Sequence, residues 1–160
     1  MDYLWTPWRY QYIKDATKDE SCIFCNAAAA NEDSKALILF RGAKNFIILN
    51  RFPYTTGHVM IVPYAHVADL ADCDAPTLTE MMQLAQRVEA ALAVNYRPEG
   101  YNLGMNLGRS AGAGVLGHLH LHVLPRWTGD TNFMTTIGET RLEPEDLALT
   151  DDRLRRSLAG

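Results

Sequence analysis

The sequence lacks three features that would each point to a different class of protein. No stretch approaches the roughly 18 consecutive apolar residues that a membrane-spanning helix needs. Lys and Arg number 15 against 19 Asp and Glu, a net charge of −4, so there is no basic excess for coating nucleic acid. The chain also has no internal repeat or low-complexity tract. We therefore expect a globular protein that binds neither membranes nor nucleic acid and that holds any anionic substrate through local donors.

Cysteine is scarce as well. The chain has three Cys residues, and an odd number fits a reducing compartment better than a disulfide framework. The first residues, Met1–Trp5, show no basic region followed by an apolar core, so we expect no signal peptide. Together these features predict a cytoplasmic protein.

The 160 residues, 48% hydrophobic and 21% charged, suit one domain with a sizeable apolar core. We expect an aromatic N-terminal arm at residues 1–21, a central domain at 22–130 and a C-terminal extension at 131–160 with a short helix near Asp151–Leu158. The arm has five aromatic residues without clear periodicity, and packing over its own domain and packing onto another subunit are equally good explanations.

Apolar periodicity predicts both helices and strands in the central domain. The clearest helix is Pro76–Tyr96, where apolar residues recur every three or four positions. A short helical stretch is expected at Asn26–Asn31. Runs of β-forming residues predict four strands, at Ala36–Arg41, Asn45–Leu49, Gly57–Pro63 and Tyr101–Leu107.

Three histidines dominate the segment Gly117–Arg126, where they alternate with apolar residues. In a fifth strand His118, His120 and His122 would line one face, about 6.6–6.8 Å apart, while the apolar residues face the core. Such a row suits metal binding through neutral imidazoles, or nucleophilic or acid–base chemistry on a phosphate or acyl group. Histidines that merely fill a core are the alternative, and three of the chain's five make it a weak one.

A glycine-rich loop, residues 108–117, directly precedes these histidines. Glycines let backbone N–H groups approach an anion closely, although glycine-rich loops are common in hairpins. Next to candidate nucleophiles, this loop predicts a phosphate cradle.

Cys22 and Cys25 form a C-x-x-C pair, which is half of a zinc site or a redox pair. A redox pair needs a thioredoxin-like βαβ context, which does not follow here, and the chain has no second C-x-x-C. If zinc is bound, histidines must complete the site. His66 comes directly after the third predicted strand; a histidine there is usually a loop residue, but the cysteine pair makes it a candidate ligand.

The sequence resembles a known protein family in several of these segments. His118–Leu124 is similar to the histidine-triad (HIT) motif, and Gly57-His58-Val59 resembles the upstream strand of that family. Asn106-x-Gly108 with Ala111-Gly112 resembles the segment that leads into the triad, and Asn50 stands where members that cleave diadenosine polyphosphates place a ribose-contacting Asn. The ends, Leu4–Arg9 and Pro125–Phe133, resemble bacterial diadenosine tetraphosphate phosphorylases of this family.

The resemblance implies an α+β fold, a HIT-like five-stranded antiparallel sheet with one long packed helix and a short N-terminal helix. It also implies a homodimer or a higher oligomer. The implied activity is that of a nucleotidyl transferase or hydrolase that cleaves dinucleoside polyphosphates, with adenine nucleotides as substrates. His120 would attack the α-phosphorus to form a nucleotidyl-histidine, while His122 and His58 orient it. The alternatives are a nucleoside phosphoramidate hydrolase, a metalloenzyme that uses the triad as ligands, and a nucleotide-binding module with little turnover.

The resemblance further implies two sets of binding residues and no organic cofactor. Structural zinc would be held by Cys22, Cys25, His66 and His118. The nucleotide and its phosphates would be held by Asn50, Asn106, Ser110, Gly112 and Gly114.

One departure from the family pattern concerns the acceptor. Many members carry a Gln four residues before the first triad histidine, where this chain has Gly114 and no Gln elsewhere in the loop. The loop therefore lacks the side chain that would position a water for simple hydrolysis. The smaller residue suggests that inorganic phosphate is the acceptor.

Overall fold

The computed structural model describes residues 21–131 and 145–159, which form one antiparallel sheet with helices on both of its faces. The predicted packing of the N-terminal arm at residues 1–20 lies outside the described residues. Within them no helix is long and apolar enough to cross a membrane. In chain order the elements are α1 (Ile23–Ala29), α2 (Asp33–Ala36), β1 (Ile38–Arg41), β2 (Asn45–Leu49), β3 (Val59–Pro63), α3 (Ala75–Tyr96), β4 (Gly100–Gly104), β5 (Leu121–Arg126) and α4 (Leu147–Ala159), with short 3-10 turns at Leu70–Asp72 and Arg109–Ala111.

The strand order is β1-β2-β3-β5-β4, and every neighbouring pair is antiparallel. This confirms the predicted α+β fold with its five-stranded sheet. Strand β5 lies between β3 and β4, and His122 is paired with Met60 on one side and Gly104 on the other. The last triad histidine therefore stands on an interior strand, while β4 is at the edge.

Helix α3 forms where the sequence predicts it, within one residue. Asp74 caps its N-terminus by accepting a hydrogen bond from the Thr77 amide at 2.8 Å, and Arg97 ends it in the left-handed conformation at φ 48°. Its apolar side chains pack on one face of the sheet and form the larger core with Ile47, Leu49, Val59, Ile61, Leu119, Leu121 and Val123.

The other face of the sheet is covered by α1. Phe24 from this helix packs with alternate residues of β2 and β3, which point away from α3. The resulting second core cluster consists of Phe24, Ile38, Phe46, Ile48, Met60 and Val62. Since His122 is paired with Met60, the triad histidines lie on this face, opposite the long helix.

Helix α4 is longer than the predicted segment Asp151–Leu158 and belongs to the main core. It packs against α3 and β1 and buries Leu154 and Leu158. Arg87 on α3 donates to the carbonyl of Leu158 at 2.5 Å. The helix is therefore part of the domain's packing rather than an appendage.

Several predicted element bounds are wrong by a few residues, among them the start of β3, which is Val59 rather than Gly57. Helix α1 begins at Ile23 rather than at Asn26, because Cys22 is its N-cap. Ala36 ends α2, and Leu37 follows with φ 61°, so β1 begins only at Ile38. Strand β4 ends at Gly104 rather than at Leu107, because its pairing with β5 stops opposite His122.

Candidate active site and metal centre

The three alternating histidines share one face, as the sequence predicts, although only His122 lies in a regular strand. His118 and His120 come before β5 begins at Leu121. The amide of Leu119 donates to the Val67 carbonyl at 2.7 Å, in the loop after β3, instead of joining the strand ladder. All three imidazoles are buried, with 2–7% of their residue surface exposed.

A chain of hydrogen bonds fixes the tautomers of two of the imidazoles. The backbone N–H of Tyr54 donates to Nδ1 of His58 at 3.1 Å, so a neutral His58 carries its proton on Nε2. That Nε2–H donates to Nδ1 of His122 at 2.8 Å. His122 consequently carries its own proton on Nε2, where it can be donated to a ligand.

His120 has the opposite tautomer. Its Nδ1 lies 2.9 Å from the carbonyl oxygen of His118. A carbonyl can only accept a hydrogen bond, so the proton of His120 is on Nδ1 and the lone pair is on Nε2. A neutral imidazole with a free Nε2 is a nucleophile, a general base or a metal ligand.

Burial keeps these rings neutral. It lowers the pKa of His120 below 6.5, partly offset by the hydrogen bond to His118. The pKa of His122 falls to about 4, mainly because of burial and secondarily because of repulsion from His120. At pH 7 the lone pair on His120 is therefore available.

The histidines stand in an unbroken row of rings. Centroid distances are 4.7 Å from Tyr54 to His58, 5.0 Å from His58 to His122, 4.9 Å from His122 to His120 and 5.0 Å from His120 to Phe24. Sequence reasoning missed both end members of this row. Phe24 lies inside the C-x-x-C and Tyr54 lies in a predicted loop, so only their ring contacts with the histidines identify them.

Asn50, for which the resemblance implies a ribose contact, lies beside this row. Its Nδ2 is 3.5 Å from Nε2 of His58, and its Oδ1 accepts a hydrogen bond from the Phe52 amide at 2.9 Å. Its backbone N–H also donates to the carbonyl of His58 at 3.0 Å. The side-chain amide is thus held next to the histidines by its own backbone.

The glycine-rich loop is largely exposed. Ser110 lies in the 3-10 turn Arg109–Ala111, and Gly108 and Gly112 flank that turn with φ of 79° and 86°, values that favour glycine. Ser110 and Gly114 are exposed, and Asn106 is half-buried before the turn. Ligand contacts of these residues stay a prediction.

A second group of side chains forms a candidate metal centre. The ligand atoms of Cys22, Cys25, His66 and His118 all lie within 4.8 Å of one another. Sγ of Cys22 is 3.2 Å from Nδ1 of His118, and Sγ of Cys25 is 3.3 Å from Nδ1 of His66. The four residues predicted as ligands are therefore together in space.

The chemistry of this donor set fits zinc. Two thiolates and two imidazoles make the closed four-ligand shell of a structural zinc site. His118 donates from Nε2 to the Pro63 carbonyl at 2.8 Å, which leaves Nδ1 without a proton and facing the sulfurs. Partial burial and then the neighbouring Cys22 raise the pKa of Cys25, so a cation is needed to hold both sulfurs as thiolates.

The glycine-rich loop touches this metal centre. A Cβ on Gly117 would lie 3.3 Å from Nε2 of His66, closer than most such contacts. The absence of a side chain at Gly117 therefore leaves room for the His66 imidazole.

Comparison with known proteins places most of this sequence in one family. The sequence pattern of the HIT domain matches residues 31–129. An "AP-4-A phosphorylase" of Mycobacterium tuberculosis is 39% identical over 163 residues, covering 98% of this chain and 82% of that protein. An uncharacterised HIT-like protein of the same organism is 31% identical over 86% of this chain and 93% of its own.

Solved structures of histidine triad proteins are also similar to this chain. A zinc-bound histidine triad family protein from Mycobacterium smegmatis is 30% identical, with a TM-score of 0.69 over 87% of this chain and 94% of that one. A hypothetical histidine triad nucleotide-binding protein from Sulfolobus tokodaii is 28% identical, with a TM-score of 0.67 over 86% and 92%. With the fold, the histidine row and the matched sequence pattern in agreement, this chain belongs to the HIT domain family.

Proposed function

We propose that this protein cleaves dinucleoside polyphosphates of the diadenosine tetraphosphate type by passing a nucleotidyl group through His120. The observation that carries the proposal is the hydrogen bond from Nδ1 of His120 to the His118 carbonyl, which leaves a neutral Nε2 lone pair. The 39% identity to a protein named "AP-4-A phosphorylase" supports this substrate class.

In the first step Nε2 of His120 attacks the α-phosphorus, and the bond from that phosphorus to the bridging oxygen breaks. His122 carries a proton on Nε2 and donates a hydrogen bond to the phosphate, while His58 holds His122 in that tautomer. In the second step an acceptor attacks the nucleotidyl-histidine and His120 leaves as a neutral imidazole. One difficult displacement becomes two easier ones.

The remaining site residues bind the substrate in this proposal. Asn50 contacts the ribose, since its amide is held beside His58. Ser110, Asn106 and the glycine-rich loop at Gly112 and Gly114 hold the phosphate oxygens as negative charge develops. The backbone N–H of Gly112 itself donates to the Arg109 carbonyl at 3.0 Å and so fixes the turn. Adenine is the preferred base.

Inorganic phosphate is the proposed acceptor, because Gly114 replaces the Gln with which many family members order a water. Product analysis of diadenosine tetraphosphate, with and without phosphate, tests this beside a His120→Ala control. ADP plus ATP that appears only with phosphate supports a phosphorylase. AMP plus ATP in both conditions would contradict the acceptor but not the role of His120. No product would shift the proposal to nucleoside phosphoramidates or to a binding module.

Zinc has a structural role in this proposal. Cys22, Cys25, His66 and His118 hold it, and it ties α1 to the segment that leads into the triad. Four protein ligands leave no open position for substrate, so no catalytic step passes through the metal. The zinc-bound family member at 30% identity supports this assignment.

We further propose a homodimer that forms through β4. This strand is paired with β5 on one side only, and Leu103 on it is 39% exposed. A free strand edge is a template for pairing with another chain. Light scattering of the purified protein gives the mass, and a monomeric mass would contradict the dimer.

A further inference from the structure

Phe24 lies between the metal centre and the candidate nucleophile. Only 2% of its surface is exposed, and its ring contacts two imidazoles. The centroid distances are 5.0 Å to His120 and 5.4 Å to His118, with interplanar angles of 47° and 69°. No prediction or family match assigns this side chain a role.

The helix that carries Phe24 is fixed at both ends. At its start Cys22 and Cys25 approach His118 and His66 within 3.2–3.3 Å. At its end Arg41 donates to the carbonyls of Ala28 at 2.8 Å and Ala30 at 3.2 Å. The ring of Phe24 is therefore held in place from outside the histidine row.

His120 itself is weakly restrained in comparison. Its one described hydrogen bond runs from Nδ1 to the carbonyl of His118, and a single such bond still lets the ring tilt. Its flanks are the imidazole of His122 at 4.9 Å and the ring of Phe24 at 5.0 Å. Since the rate of an in-line attack depends on ångström-scale placement of the attacking atom, this lateral packing matters for chemistry.

We propose that Phe24 is a positioning residue for His120 and that the metal centre fixes the nucleophile through it. The expected effect on kcat rests on the proposed function, whereas the expected effect on the position of the His120 ring does not. Drawing both cysteines onto the metal holds α1 against the sheet, and α1 in turn holds Phe24 against His120. Loss of the metal and loss of the Phe24 ring would each leave the imidazole of His120 free to tilt.

The kinetic test compares Phe24→Leu with Phe46→Leu, both in the metal-loaded protein. Phe46 is a matched control, because it belongs to the same core cluster, is fully buried and stacks on Tyr64 at 5.3 Å. We expect Phe24→Leu to lower kcat about tenfold with KM within about twofold and metal content unchanged. Phe46→Leu should lower Tm and leave kcat within about twofold.

Imidazole NMR of the ¹⁵N-labelled protein tests the positioning without any substrate. The wild type should show one sharp Nδ1–H signal for His120, and Phe46→Leu should retain it. Phe24→Leu and the chelator-treated wild type should both broaden or lose it. If Phe24→Leu does not fold, Phe24→Met takes its place.

Equal effects of the Phe24 and Phe46 substitutions on kcat and on the spectrum would overturn the inference, as would a rise in KM alone. An unchanged Nδ1–H signal in Phe24→Leu would also overturn it. If the wild type turns over no dinucleoside polyphosphate, the proposed function fails, and the spectra alone decide whether Phe24 positions His120.

Discussion

The carbonyl of His118 accepts a hydrogen bond from Nδ1 of His120 at 2.9 Å, while the ring of His118 faces the sulfur of Cys22 at 3.2 Å. One residue thus serves two candidate sites, with its backbone setting the tautomer of the proposed nucleophile and its side chain completing the candidate metal centre. The two candidate sites are therefore coupled by the chain itself.

Substitution of the nucleophile should abolish turnover and leave the fold intact. We expect His120→Ala to lower kcat by at least about a thousandfold, since the covalent step then has no nucleophile. Intact-mass measurements on wild type quenched with substrate should show a nucleotidyl adduct. The same adduct on His120→Ala would contradict the assignment.

Acid should destabilise the protein through His122. Its folded pKa of about 4 is below the ordinary 6.5, so the unfolded chain binds the extra proton and stability falls as pH drops from about 6.5 to 4. At pH 5 this group alone costs on the order of 2 kcal/mol relative to pH 7. Urea unfolding at both pH values measures it. His122→Asn is the control, and an equal pH dependence in that variant would refute the explanation.

The zinc content of the protein should depend on the four proposed ligands and should not depend on the remaining cysteine, Cys73. Wild type should contain one zinc per chain by elemental analysis, and Cys22→Ser should contain none, with Tm lower by about 5 °C or more. Cys73→Ser is the matched control, because Cys73 packs against the main core, and burial followed by Asp74 and Asp72 raises its thiol pKa. Zinc loss from that variant would show that the ligand set is wrong.

A methyl group at Gly117 should weaken zinc binding by pushing on His66. The added Cβ would lie 3.3 Å from Nε2 of His66, so we expect Gly117→Ala to lower zinc affinity about tenfold in a competition with a chromophoric chelator. Gly100→Ala serves as the control, since a Cβ there meets nothing within 4 Å. Similar affinities in both variants would count against the contact.

Helix α4 should contribute to the stability of the whole domain. Leu154 is 1% exposed in the main core, so Leu154→Ala should lower the free energy of unfolding by about 2–4 kcal/mol in urea titrations. Leu149 on the same helix is 42% exposed, and Leu149→Ala should cost less than about 1 kcal/mol. Equal losses would mean that α4 does not pack as described.

Local patterns in the sequence were enough to predict most of the fold. Helix α3 shows its apolar stripe in the sequence, and the alternation around His120 places the imidazoles opposite the core residues. The exact start of β5 was out of reach, because the amide of Leu119 bonds to Val67 in a distant loop. Such a pairing depends on tertiary structure and leaves no local pattern.

The residues of the candidate site also fall into two groups, those that the sequence predicts and those that only the structure identifies. The cysteine pair identifies itself by spacing, and His66 is a candidate ligand from its place after the third strand, whereas adding His118 to the set required the family resemblance. Phe24 carries no local sign of its contacts, since it meets His120 far along the chain. Tyr54 contacts the nearby His58, but it does so from a loop whose course the sequence does not predict. Their roles became visible only once the sheet had brought the segments together.

The strict alternation of histidines and apolar residues also limits how this region can change length. The backbone amide of Leu119 is hydrogen-bonded to the Val67 carbonyl and anchors this segment. Deleting one residue after Leu119 would shift the register of the residues that follow. Imidazoles beyond the deletion would then point into the core, and their apolar neighbours would point to the face of the sheet that carries the histidines. Insertions and deletions among homologues should therefore be absent from His118 to Arg126.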